Sequence, residues 1–183
     1  MTETPAHVHE FDWPDRVVIG TVGRPGARTF YLQVRAGARL MSVALEKQQS
    51  AIMAEKIDEI LDELMALEGN PHSVPASTPA ELVDNDPLED PVQERFRIGA
   101  IGLGWDPTTA QVIIEAHPQA DDEDDLDEAL VAESETVRVR MPVGAARAFA
   151  RRTREVVDAG RPICSDCGHP MDPDGHVCGG PEA

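Results

Sequence analysis

Two stretches of this chain share one pattern, and that pattern limits the folds open to it. RVVIGTVGRPGARTFYLQVR starts at Arg16, and RFRIGAIGLGWDPTTAQVIIEA starts at Arg95. Each reads as an apolar strand carrying glycines, a turn, and a second strand. The turns are GRPG at Gly23–Gly26 and WDPTT at Trp105–Thr109, both built from turn-forming residues. The second strands alternate, with Phe30, Leu32 and Val34 on one face and Val112, Ile114 and Ala116 on the corresponding one.

A third strand and a helix follow in each half. RLMSVAL leads into a segment where Met53, Ile57, Ile60, Leu61 and Leu64 recur at helical spacing. TVRVRM alternates strictly and leads into PVGAARAFARRTREVVDAG, whose apolar stripe is Val143, Ala146, Phe149, Ala150 and Val156. Pro142 suits a helix start, and Gly160 with Pro162 suits its end. The chain thus reads βββα twice. Neither half can close a core alone, so the predicted fold is α+β, a mainly antiparallel sheet of six strands with two helices on one face. The expected organisation is a first βββα repeat over 11–66, a flexible linker over 67–93 rich in Pro, Ser and Asp, and a second repeat over 94–160. An acidic insertion over 117–134 interrupts the second repeat, and a metal-binding tail over 161–183 follows it.

Net charge is −18, unevenly placed. Residues 81–135 hold 17 Asp and Glu against Arg95 and Arg97, whereas 137–161 hold seven Arg against Glu155 and Asp158. The chain as a whole should repel nucleic acid and anionic membrane, but its C-terminal part need not. No apolar run has the length of a membrane span, and the first residues lack the basic and apolar regions of a secretory signal. The reading is a cytoplasmic protein. An odd count of three cysteines in a reducing compartment argues against a disulfide framework.

All three cysteines fall in CSDCGHPMDPDGHVC, Cys164–Cys178. Cys164 and Cys167 have the C-x-x-C spacing that brings two thiolates to one ion within a tight turn. His176 and Cys178 form an H-x-C pair, whose side chains share a face in an extended segment. Three thiolates and one imidazole make a closed tetrahedral site, the usual structural zinc arrangement. His176 is the preferred fourth ligand; His169, inside the first turn, is the rival. Four protein ligands leave no open position for a catalytic water, so the expected cofactor is structural zinc. A thioredoxin-like redox pair fits less well, because that motif opens a helix after a strand.

Other features carry less. Gly99, Gly102 and Gly104 in GAIGLG are not a nucleotide loop, since no helix follows; they suit strand approach or a bulge. His7 and His9 read as a mobile polar end, and Trp13 with Pro14 as an anchor for the first strand. Asp121–Glu128, DDEDDLDE, reads as a solvated acidic loop without the pattern of an EF-hand. Arg147, Arg151 and Arg154 line one helix face with Arg152 beside it, a row able to grip phosphate or an acidic partner. No nucleophilic triad or paired-carboxylate set stands out.

FDWPDRVVIGTVGRPGARTFYLQVR, ERFRIGAIGLGWDP, ARAFARR and the terminal C-x-x-C-G…D-P-x-G-H-x-C together resemble an uncharacterised actinobacterial family, a domain of unknown function described as a repeat protein. That resemblance implies no established activity. It implies a link to histidine-phosphatase-like and kinase-like proteins, near which members are encoded. Three roles follow as expectations: a zinc-binding, non-enzymatic interaction or adaptor protein; a nucleic-acid or phosphate binder using the arginine row, with nucleic acid not favoured; or an enzyme with a site between the repeats.

Overall fold

The computed structural model describes residues 7–24, 27–119 and 135–159, together with Cys164, Asp166, Cys167 and Cys178. Its strands are β1 (His7–Asp12), β2 (Arg16–Val22), β3 (Thr29–Ala36), β4 (Arg39–Leu45), β5 (Glu94–Asp106), β6 (Gln111–Pro118) and β7 (Glu135–Pro142). Helix α1 (Lys47–Met65) follows β4, and α2 (Val143–Ala159) follows β7. The fold is α+β, with βββα in each half, as the two matching stretches predict.

The strands form one sheet in the order β1-β7-β6-β5-β4-β3-β2. Within β2–β4 and within β5–β7 every neighbour is antiparallel, but β4 pairs with β5, and β1 with β7, in parallel. The sheet is mainly antiparallel, as expected, but it has seven strands instead of six, and its two parallel joins make it mixed. The β4–β5 join is parallel because α1 and a long connection separate the two strands, which is the room a parallel crossover needs.

Strands β1 and β2 lie at opposite ends of this order, yet only Trp13–Asp15 joins them. A flat sheet would separate them by about 29 Å, six strand spacings. The residues from Asp12 to Arg16 span at most about 14 Å. The sheet therefore curls, bringing its two edges toward each other. The contacts agree: Arg39, entering β4, donates to the Glu10 carbonyl of β1 at 3.2 Å and lies over the Phe11 ring at 4.3 Å.

The helices fill the concave side. Ile19, Leu32, Val34, Val43 and Leu45 from the first half share one buried cluster with Val112, Ile114, Val137, Val139 and Met141 from the second. Met53, Ile57 and Leu61 of α1 and Ala146, Phe149 and Ala150 of α2 cover it, as the helical spacing predicts. Ile60 departs from that pattern, turning half-exposed toward the surface.

Three further expectations fail. The histidine pair is not a loose end: it lies in β1, where His9 is buried and its ring meets Glu135 at 2.9 Å. Trp13, by contrast, is 61 % exposed, and the contact it makes to β7 is from its backbone N–H to the Arg140 carbonyl at 3.3 Å. The segment 67–93 is not a free linker either. Val74 enters the core, and Arg147 of α2 donates to the Pro75 carbonyl at 3.0 Å. Asp84 accepts from Arg16 of β2 at 2.7 Å. Arg152 of α2 donates to the carbonyls of Ile19, Asp84 and Asp86 at 3.0, 2.7 and 2.7 Å.

Beyond that point the segment crosses onto the convex face of β2–β4. There the buried Gln33 donates to the Glu89 carbonyl at 3.0 Å, and the Glu89 N–H donates back to Gln33 Oε1 at 2.8 Å. Leu88 occupies the space a side chain would need at Gly20, where an added Cβ would lie 2.5 Å from it. Residues 74–90 are thus a strap around the outer edge of β2. Its composition misleads because its hold comes from backbone groups and acids meeting arginines far away in sequence. Residues 120–134 of the acidic insertion, Asp121–Glu128 included, lie outside the described residues.

Candidate metal centre and the charged clusters

Helix α2 ends at Ala159, and the cysteine motif follows within five residues. The Sγ atoms of Cys164, Cys167 and Cys178 all lie within 4.8 Å of one another, with Cys164 and Cys178 3.8 Å apart. Sulfurs bound tetrahedrally to one zinc at about 2.3 Å stand about 3.8 Å from each other. The triad therefore fits a single thiolate-bound ion, and the three cysteines are able to hold a metal.

The local electrostatics favour thiolate at one corner. Backbone N–H groups of Cys167 and Asp166 lower the Cys164 pKa to about 6. Hydrogen bonding with Cys167 and Cys164 raises Cys178 to about 11. One thiolate is shared by neighbouring thiols, an arrangement that a cation would convert into three thiolates with release of protons. His176 and its rival His169 lie outside the described residues.

The arginine row is divided between two structural tasks. Arg147 is buried and reaches Asp58 of α1 at 2.8 Å and Asp62 at 3.0 Å. Arg154 also pairs with Asp58, so two arginines of α2 hold one buried acid of α1. Arg152, buried as well, is the clasp between β2 and the strap described above. Arg151 is exposed and pairs with Glu155 one helical turn on. The carboxylates that neutralise the row thus come from α1, the strap and α2 itself.

Sequence reasoning overlooked Asp58. A signal for it existed: Asp58 stands between Ala54 and Leu61 on the buried stripe of α1, where a lone acid calls for a basic partner. A second feature went unnoticed. Alongside α1, Ile52, Met53 and Ile60 with Ile101 and Leu103 of β5 line an open groove of about 430 Å³, rimmed by Lys56, Glu59 and Glu63. Ile52 is 48 % exposed there. No described helix is long and apolar enough to cross a membrane.

GAIGLG lies wholly within β5. A Cβ at Gly99 would stand 2.7 Å from Gln119 Cα and 3.0 Å from the Pro118 carbonyl oxygen, so this glycine permits a close backbone approach at a bulge in the β5–β6 ladder.

Neither the curated proteins nor the solved structures contain a match to this chain. A family model does match, over residues 9–178, from the inward-facing His9 of β1 to the last cysteine of the triad. The matched span takes in the curled sheet, both helices, the strap and the sulfur cluster, and the chain belongs to DUF3090, a family of proteins of unknown function.

Proposed function

We propose that this chain is a zinc-binding interaction protein of the cytosol, with no catalytic role of its own. The observation that carries the reading is the sulfur triad, whose spacing matches ligation of one tetrahedral ion. Thiolate-rich ligation favours zinc over magnesium or calcium. His176 supplies the fourth ligand, closing the site. Zinc held by such a set stabilises small zinc-folded segments by roughly 10–16 kcal/mol. Cysteines left free of disulfides suit a reducing compartment.

The interaction role rests on two further points. Arg147, Arg152 and Arg154 are engaged in holding helices and strap together, which leaves Arg147 and Arg152 little freedom to grip phosphate or nucleic acid. The apolar groove beside α1, in contrast, offers exposed isoleucine on a rigid element. Histidine-phosphatase-like and kinase-like proteins are the partners the family resemblance recommends testing first.

Elemental analysis of untagged protein tests the metal. One zinc per chain is expected, together with thiols that react with Ellman's reagent only after chelation. A ratio near zero with freely reactive thiols overturns the reading. Cys178→Ser should abolish stoichiometric zinc while leaving the circular dichroism of the sheet and helices unchanged, because the triad lies outside the shared core.

A further inference from the structure

In a chain of net charge −18, cations are expected to find carboxylates, and most described ones do. Arg24, Arg28, Arg39 and Lys47 pair with none of the described carboxylates. Arg39 is used otherwise, over Phe11 and on the Glu10 carbonyl. Arg28 and Lys47 are half-buried, and both line one cavity of about 190 Å³. Thr29 and Arg97 complete its polar wall, over a floor formed by the buried Phe30 and Leu45. The exposed Arg24 stands four residues before Arg28 in the same β2–β3 connection.

Among the described residues the cavity has one carboxylate, Glu46, and it is spent. Arg97 donates to it at 2.9 Å, and the backbone N–H of Gln49 caps onto it. With Arg97 and Glu46 paired, Arg28 and Lys47 line the same small space with no carboxylate partner among the described residues. Two cations lining one partly enclosed space favour an anion there.

We propose that this cavity binds a phosphate monoester group. The chemistry is complementary: two cations for a dianion, and the Thr29 hydroxyl as a further donor. Its volume lies below the roughly 300 Å³ at which pockets begin to hold drug-sized ligands, so it takes a phosphate head group and leaves the rest of the ligand outside. The site is separate from the cysteine triad and stands or falls without it.

Titration of the isotopically labelled full chain at fixed ionic strength, followed by amide NMR, tests this. The probes are inorganic phosphate and the free amino acid phosphoserine, with chloride as the control anion. Saturable shifts confined to Arg28, Thr29 and Lys47 and their neighbours are expected, with at least a tenfold loss of affinity in Arg28→Gln/Lys47→Gln. Lys56→Gln, on the far groove, should bind as the parent does. Phosphoserine binding more tightly than phosphate identifies an ester as the ligand; equal binding identifies the phosphate group alone. An unsaturable response, one that chloride reproduces, or one undiminished in the double variant overturns the proposal. An unchanged spectrum of the double variant away from the cavity establishes that it is folded.

Discussion

Gly20 and Gly99 follow the buried Ile19 and Ile98 at matching places in the two halves of the chain, and each gives up its side chain for a different neighbour. At Gly20 the space is taken by Leu88 of the strap; at Gly99 it is taken by the backbone of Pro118 and Gln119. The difference extends across both half-sheets. Under the strap, Val18, Gln33 and Ala44 on the convex face of β2–β4 are buried, at 3 %, 2 % and 0 % exposure. The convex face of β1, β6 and β7 instead carries an ionic lattice. There Arg138 reaches Glu115 at 2.8 Å and Glu10 at 3.2 Å, while Arg140 reaches Glu10 at 2.8 Å and Asp106 at 3.0 Å. Similar strand patterns are completed in two ways, and the segments between the strands decide which.

The sharpest way to break this contrast is at the clasp. Arg152→Met removes a buried cation that holds β2, Asp84 and Asp86 together, and should cost about 3–5 kcal/mol in urea unfolding. A loss below about 1 kcal/mol would mean that the strap contributes little to the first half.

The glycines come next. Gly99→Ala sets a methyl against backbone and should cost about 1–3 kcal/mol, as overpacking does. Gly20→Ala meets only the Leu88 side chain, which can turn away, and should cost less. Adding Leu88→Ala should relieve part of the Gly20→Ala strain and none of the Gly99→Ala strain. Equal effects at the two glycines, read from thermal melts, would erase the distinction between strap and ladder.

Arg138→Met should cost no more than about 1 kcal/mol, because its partners are partly solvated and exposed ion pairs are weak. The smallest effect concerns pH. Arg16 donates to Asp84 and holds its carboxyl below the usual carboxylate range. The stability Asp84 contributes is therefore complete above about pH 4, its unfolded value, and fades as pH falls through the lowered one. Amide protection in the strap, measured relative to the intrinsic exchange rate at each pH, should fall in that acid window in the parent chain, and an Asp84→Asn variant should lack this acid step.

Much of this architecture was legible because it is written in periodicity. Strands β2, β3, β6 and β7, both helices and the sulfur triad all follow from spacing along the chain. What escaped depends on partners distant in sequence. HVHEFD alternates as β1 should, but its histidines read as solvent-facing until Glu135 is set beside His9. The strap is short of apolar residues, and its anchors Arg16, Gln33, Arg147 and Arg152 lie 56 to 72 residues away from the groups they bind. The arginine spacing on α2 showed a shared face but could not show Asp58 waiting on α1.

The strap has a consequence for the order in which the chain is made. Its anchors on α2, Arg147 and Arg152, belong to the last described helix, so synthesis from the N-terminus completes β2–β4, α1 and the strap itself well before the clasp exists. During that interval the outer edge of β2 has no Arg152 on the Ile19 carbonyl, leaving an unpaired strand edge of the kind that recruits other strands. A nascent chain stalled before Arg147 would present that edge, whereas one extended past Arg152 could close it. Protection of the first half is thus deferred until α2 is made, and a cell making this protein must keep an early-formed sheet edge apart from its neighbours until that helix emerges.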